Sequence, residues 1–385
     1  MSTRNILRAA FFTPGIHGVW GLPLLLEGKP GMAKTSIVTA EARACGLHCE
    51  ALIASIRAPE DFCGIPVPGK HSIQRQPDAW VDRVSKAERA VVFFDEFNCA
   101  PAAVQAALLR VIHERVAGDV VLPKTVRMIA AQNAVEDAAG GNDLSPAMAN
   151  RFGHIAWSGP DVTDWTSYVL AGGAADDGLE PLNAEAEEVR VENLWGSAFA
   201  KARGLITGFL RRRPELFHKQ PNASDPQASK AFPTPRSWEL ACRAYASGQV
   251  HMLNDTDADT FLSAFIGGAA ASELSAWAAE ADLPDPADLL DGKVKFKHNP
   301  KRIDRTAAIL SMCAAFVAPK TTDKRLERAS TLWKMLDEVS KDAVDVVVPA
   351  GKVLANKEVH LSHNIPEARP VLGRLGQLAA MTGGL

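Results

Sequence analysis

The chain has 385 residues, of which 47% are hydrophobic and 23% charged, a composition that excludes a disordered or fibrous protein and leaves room for two or three domains. Its 42 basic and 45 acidic side chains give a formal charge of −3, so no global basic field speaks for nucleic acid. No apolar run approaches the roughly 20 residues that span a bilayer, and the opening MSTRNILRAAFF lacks the core and cleavage site of a leader, so no membrane insertion is expected and the cytoplasm is the expected compartment.

In chain order, the first informative stretch is LLLEGKPGMAKT, Leu24 to Thr35. Leu24 to Leu26 is short and apolar enough for a buried parallel strand, and SIVTAEARACG after Thr35 is helical in pattern, with Gly46 as its stop. Strand, glycine-containing turn and helix form the context that a phosphate-binding loop requires. Gly28 and Gly31 can turn successive amides toward one point, and the helix N-terminus adds partial positive charge. The nucleotide candidates are therefore Gly28, Lys29, Pro30, Gly31, Met32, Ala33, Lys34, Thr35 and Ser36, with Lys34 reaching the β- and γ-phosphates and the Thr35 hydroxyl on Mg²⁺. Ala33 departs from the usual glycine, but its amide survives if the local angles suit an L-residue. Cys45 and Cys49, with His48 between them, lack a second pair at ligand spacing and read as buried or incidental thiols.

GIPVPGK with HSIQ, residues 64–74, reads as a small hairpin with Pro and Gly at its turn. Val91-Val92-Phe93-Phe94-Asp95-Glu96 describes a buried strand that ends in two acids. Alone it would be a core strand meeting a solvated turn. Paired with the upstream loop, it puts carboxylates at the strand edge where open α/β sheets bind ligands, with Asp95 in the magnesium shell and Glu96 as general base toward water. A helix from Pro101 to His113 and a second hairpin turning near Gly118-Asp119 follow. The strand Val126 to Ala131 ends in Gln132-Asn133, where Asn133 either starts a turn or orients the lytic water. A short helical segment opened by Ser145-Pro146 leads to Arg151, which either ion-pairs on its own surface or enters a neighbouring subunit's site as an arginine finger.

These elements in this order resemble the AAA+ ATPases, and specifically the MoxR-like branch with the CbbQ and NorQ activators, whose loop reads G-x-P-G-x-A-K-T with alanine included. The resemblance spans about Gly21 to Ser247 and extends to APEDFCGIP and AAQNA. It implies that Asp95 and Glu96 are the Walker B pair, that Asn133 is sensor 1, and that Arg151 in ANRF is the finger. It also implies that Arg236 in Thr234-Pro235-Arg236-Ser237 is sensor 2, although by itself Arg236 reads as a helix-start arginine in a salt bridge. The fold implied is an α/β parallel sheet flanked by helices, with a helical lid and a helical C-terminal extension. The expected parts are 1–160 for the nucleotide domain, 161–254 for the lid and 255–385 for the extension. ATP and Mg²⁺ are the cofactors implied. The partners implied are further copies in a ring, commonly a hexamer, a protein client that is remodelled or activated, and a von Willebrand factor A domain protein. The two hairpins resemble that clade's inserts, facing a pore or client.

The remainder is helical. The acidic stretch AGGAADDGLEPLNAEAEEV reads as a surface connection or the start of a lid helix. WGSAFAKARGLITGFLRRRPELF is a helix whose terminal Arg211-Arg212-Arg213 suits the dipole and a solvated or subunit-facing patch. Residues 219–230 are expected as a mobile loop. TFLSAFIGGAAASELSAWAAEADLP is expected as one amphipathic helix, with DRTAAILSMCAAFVA and RASTLWKMLDEVSKD completing a bundle. Two rival functions share this engine. A nucleic-acid motor or loader should carry cations and aromatics on its inserts, and Lys70, His71, Arg75 and Lys124 are thin support. A nucleotide-gated switch that does not hydrolyse has no need of Glu96.

Overall fold

Short apolar runs that stop at glycines or polar residues set the sheet. In the computed structural model, which describes residues 2–134, 137, 143–170, 180–222, 225–320, 324–362 and 364–382, the strands are β1 Leu24–Glu27, β2 His48–Ile53, β3 Ile65–Pro68, β4 Ile73–Gln76, β5 Ala90–Asp95, β6 Val116–Ala117, β7 Val120–Val121, β8 Val126–Gln132 and β9 Gly153–Ala156. Five of them form one sheet in the order β2-β5-β8-β1-β9, and every pairing is parallel. The central strands β5 and β8 are buried along nearly their whole length, as expected for a sheet covered on both faces. β3–β4 and β6–β7 are the two expected hairpins, both antiparallel.

The helices are α1 Ser2–Phe11, α2 Lys34–Ala44, α3 Glu60–Cys63, α4 Ala79–Lys86, α5 Ala102–Glu114, α6 Pro146–Ala149, α7 Val162–Leu170, α8 Ala184–Arg212, α9 Pro235–Val250, α10 Asp255–Ile266, α11 Gly268–Ala281, α12 Pro286–Leu290, α13 Ile303–Val317, α14 Arg325–Ser340, α15 Val344–Ala355 and α16 Ala368–Thr382. This is the α/β class expected, a parallel sheet flanked by helices with a helical C-terminal region. None of the described helices is long and apolar enough to cross a membrane. Residues 171–179, within the acidic stretch read as a connection, lie outside the described residues.

The chain divides into two compact units, residues 1–193 with 218–269, and residues 194–217 with 270–385. In the first, α9 and α10 pack on each other, and α10 covers β9, where Gly153 leaves room for the Phe265 ring. An aromatic chain runs beneath the carboxyl ends of the strands. Phe62 lies against Trp80 and Phe94 at 6.2 and 6.1 Å, Phe94 against Phe97 at 6.4 Å, and Phe97 edge-on against Phe152 at 5.4 Å. Phe94 and Phe97 bracket Asp95 and Glu96, and Phe152 follows Arg151, so buried rings fix the backbone that carries three exposed or half-exposed ionic groups. The second unit is a helical bundle around Leu310, Met312, Leu332, Trp333 and Val347, and the Trp333 indole donates to the Leu361 carbonyl at 2.7 Å.

The stretch expected as one amphipathic helix is two. Gly267 takes φ +78°, and a Cβ there would fall 2.9 Å from the Ala231 carbonyl oxygen, so α10 ends and α11 begins anew. The end of the expected mobile loop is anchored: Pro226–Ser229 forms a single 3₁₀ turn capped by Asp225, and Lys230 bonds to Glu27.

Candidate functional site

The parallel order brings the ends of β1, β2, β5 and β8 to one edge. Glu27 pairs in register with Gln132, and Ile53 with Asp95, so the residues that follow these strands share a small region. The Gly28 amide donates to the Gln132 carbonyl at 3.2 Å, and a Cβ on Gly28 would meet the Trp157 carbonyl oxygen at 2.4 Å. Only glycine fits that approach. The Trp157 indole donates to the Met32 carbonyl at 2.8 Å and steadies the far side of the loop. Lys29, Pro30, Gly31, Thr35 and Ser36 are exposed, which leaves the mouth open.

Ala33 takes φ +57° and ψ +26°, a left-handed conformation immediately before α2. The departure from glycine is therefore a strained one, costing about 1 kcal/mol or more for an L-residue. Lys34 is buried, and its ammonium donates to the carbonyls of Gly28 at 2.7 Å and Lys29 at 3.0 Å and to Asn133 Oδ1 at 2.8 Å. Burial holds its pKa below the ordinary lysine value, against the opposite pull of Asp95.

The Thr35 hydroxyl donates to Asp95 Oδ2, and Asp95 Oδ1 accepts the Glu96 amide at 2.9 Å. Glu96 is also left-handed, at φ +53°. Its Oε2 accepts from the Ser55 hydroxyl, just beyond β2. Hydroxyl plus carboxylate is the hard-oxygen chemistry that Mg²⁺ takes, usually with several waters and phosphate oxygens. The donors present therefore fit a magnesium–triphosphate group, and the structure brings together residues 28–36, Asp95, Glu96 and Asn133 as one cluster.

Arg151 and Arg236 form a second grouping. Arg151 follows α6, where Ser145 caps by accepting the Met148 amide; the Arg151 Nη1 donates to the Ala147 carbonyl, while its Nε is buried without a hydrogen-bond partner among the described residues. Arg236 is exposed in the first turn of α9 and makes no hydrogen bond or ion pair among the described residues. The two are coupled by neighbours: the Thr234 hydroxyl, half of the α9 capping box, donates to Asn150 Oδ1 at 2.8 Å. Burial and then the charge of Arg236 lower the Arg151 pKa, and burial followed by both arginines lowers that of His113.

Three contributors were missed in the sequence. Ser55 was passed over because its contact to Glu96 is formed across strands. The buried Asn98 donates to the Asn133 carbonyl at 2.9 Å and fixes the tip of β8. Glu27 accepts from Gln132 at 2.9 Å and Lys230 at 2.7 Å, tying the base of the loop to the chain before α9. Burial would raise the Glu27 pKa, yet Lys230 and Gln132 hold it below the usual carboxylate value. A carboxylate directly before a phosphate loop was the available signal. The cysteines are free. Cys45 is buried, its thiol pushed up to about 12 by burial.

Residues 23–154 match the family model described as ATPase family associated with various cellular activities (AAA). That span includes residues 28–36, Ser55, Asp95, Glu96, Asn98, Asn133 and Arg151, while Trp157, Lys230, Thr234 and Arg236 lie beyond it. The Chaperone MoxR1 of Mycobacterium tuberculosis is 31% identical over 133 residues, 34% of this chain and 34% of that protein. Midasin of Giardia intestinalis is 29% identical over 141 residues, 34% of this chain and 3% of its own length. The chain thus spans 34% of the length of the first of these relatives and 3% of the second. A solved chain from Cytophaga hutchinsonii aligns at TM-score 0.45 and 20% identity, over 68% of this chain and 78% of its own.

Proposed function

We propose that this chain, whose residues 23–154 form a MoxR-like AAA+ ATPase module, hydrolyses ATP to ADP and phosphate in an assembly of copies and uses the cycle to remodel or activate a protein client. The observation that carries the reading is the single cluster in which Lys34 reaches Asn133 while Thr35 touches Asp95. Lys34, the loop amides and the α2 N-terminus bind and orient the phosphates. Thr35 and Asp95 would hold Mg²⁺, which when bound neutralises charge on the phosphate oxygens. Glu96 accepts the proton of the attacking water, and Asn133 orients that water from the adjacent strand end.

Arg151 acts on a neighbouring copy's nucleotide. Its link through Asn150 and Thr234 to the cap of α9 favours Arg236 joining it there, two cations that repel each other until an anion lies between them. The lid role falls to 161–254 and the extension to 255–385. A ring, commonly six copies, and a von Willebrand factor A domain partner complete the proposal. Phosphate release tests it. Activity per subunit should rise with protein concentration as copies assemble, while Glu96→Gln should retain ATP and lose turnover. Hydrolysis at the wild-type rate by Glu96→Gln removes the base from this account.

A further inference from the structure

The second unit contains a cleft of about 640 Å³ that the nucleotide site does not use. Of the three arginines at the end of α8 and just after it, Arg213 bonds to Glu215 and Glu273, and Arg212 to Asp304 at 3.2 Å. Arg211 is exposed and has no ion pair among the described residues. It lines the cleft with Lys301, which likewise lacks a side-chain partner among them. Lys301 ends the run Lys293, Lys295, Lys297, Lys301, in which no acid occurs between Asp291 and Asp304. Lys295 and Lys297 line a separate pocket of the same unit. Lys293 is paired with Asp288 at 2.7 Å, so Arg211 and Lys301 are the cations without an ion pair among the described residues of the cleft, in a chain that is weakly acidic as a whole.

The rest of the cleft narrows the ligand class. Pro300, Ile303 and Val346 give it an apolar wall, and Ile303 is 45% exposed. Asp304 and Asp345 add fixed carboxylates. A duplex, with about one phosphate charge per 1.7 Å of axis, would bring its charge against those carboxylates. Among the described residues no Trp, Tyr or Phe lines the cleft to stack on bases. A polypeptide satisfies every part: its carboxylates face Arg211 and Lys301, its apolar side chains face Ile303, and its backbone amides can donate to Asp345.

We infer that this cleft is a docking site for an acidic protein segment in which Asp or Glu alternates with apolar residues. The inference does not depend on the ATPase reading. Fluorescence anisotropy of the full chain tests it with three labelled probes: a peptide alternating Glu and Leu, its Gln–Leu counterpart, and a short duplex DNA. The Glu–Leu peptide should bind at least about tenfold more tightly than either other probe. Arg211→Glu with Lys301→Glu should weaken it at least about tenfold, and added salt should weaken it too. Arg211→Gln with Lys301→Gln, whose melting should match wild type, should give a smaller loss of the same sign. Lys34→Ala should leave peptide binding unchanged. Absent peptide binding, equal binding of the Gln–Leu peptide, tighter binding of the duplex, or indifference to the charge reversal overturns the inference.

Discussion

The ammonium of Lys34 lies 2.8 Å from Oδ1 of Asn133, so one buried cation joins the loop after β1 to the tip of β8. Its other two acceptors are carbonyls of the loop itself. A desolvated cation needs such partners, and arriving phosphate oxygens can replace any of them. Exchanging Asn133 for phosphate would free that amide to face water at the moment the nucleotide binds. Asn98, donating to the Asn133 carbonyl, keeps the residue in place throughout.

The left-handed Ala33 makes a paired prediction. Ala33→Gly removes a strain of about 1–2 kcal/mol and adds unfolded-state entropy that costs about 0.4–1 kcal/mol. Thermal melting should therefore show unchanged or slightly raised stability, with nucleotide affinity retained. Ala33→Val, branched at Cβ, should lower both stability and affinity. A loss of more than about 1 kcal/mol in the glycine variant would be incompatible with this loop geometry.

Ser55 donates to Glu96 and makes no hydrogen bond to another site group among the described residues. Losing one net hydrogen bond of about 1 kcal/mol should reduce kcat of Ser55→Ala by about three- to tenfold, with KM for ATP unchanged. Steady-state kinetics separate the two parameters. A shift confined to KM would assign Ser55 to binding instead of to the orientation of Glu96.

Arg151 is not bonded to the Lys34 cluster but donates to the Ala147 carbonyl and lies close enough to Arg236 for like-charge repulsion. Arg151→Ala and Lys34→Ala should each be inactive alone, since a finger contributes on the order of 10³–10⁵ in kcat in related chemistries. Mixed together they should regain activity, because an intact Lys34 site can meet an intact Arg151 from its neighbour. Full activity of a dilute, monomeric wild type contradicts a finger acting between copies.

What could be read in advance was local. The strand–loop–helix from Leu24, the acids after Phe94 and the Ser145-Pro146 helix start are all encoded within a few neighbouring residues, and each lies where it was expected. Ser55, Asn98 and Lys230 were not legible, because their contacts span 41, 35 and 203 residues of chain. Gly267 was visible, yet the apolar periodicity on both sides concealed a break that only the approach of Ala231 explains.

The helical unit should show a specific acid sensitivity. Burial would raise the Asp304 carboxyl, but the Trp277 indole, Arg302 and Arg212 together pull it down to about 2. A carboxylate whose pKa is depressed on folding stabilises above its unfolded value and loses that contribution as pH falls through the folded one. Asp304→Asn should therefore melt below wild type at pH 6, by at most about 2 kcal/mol. The difference should vanish between about pH 4 and pH 2. A difference that stays constant across that range would make the defect one of packing.

The central claim is that residues 28–36 and the acids at 95–96 serve one triphosphate–metal group. Titration of a fluorescent ATP analogue, with Mg²⁺ and with the metal chelated, tests it directly in wild type, Lys34→Ala and Asp95→Asn. The account predicts binding to wild type that is lost in Lys34→Ala, where each charged hydrogen bond removed costs about 1.5–3 kcal/mol. It also predicts a magnesium dependence that disappears in Asp95→Asn. Unchanged affinity in Lys34→Ala, or an undiminished magnesium effect in Asp95→Asn, would contradict it.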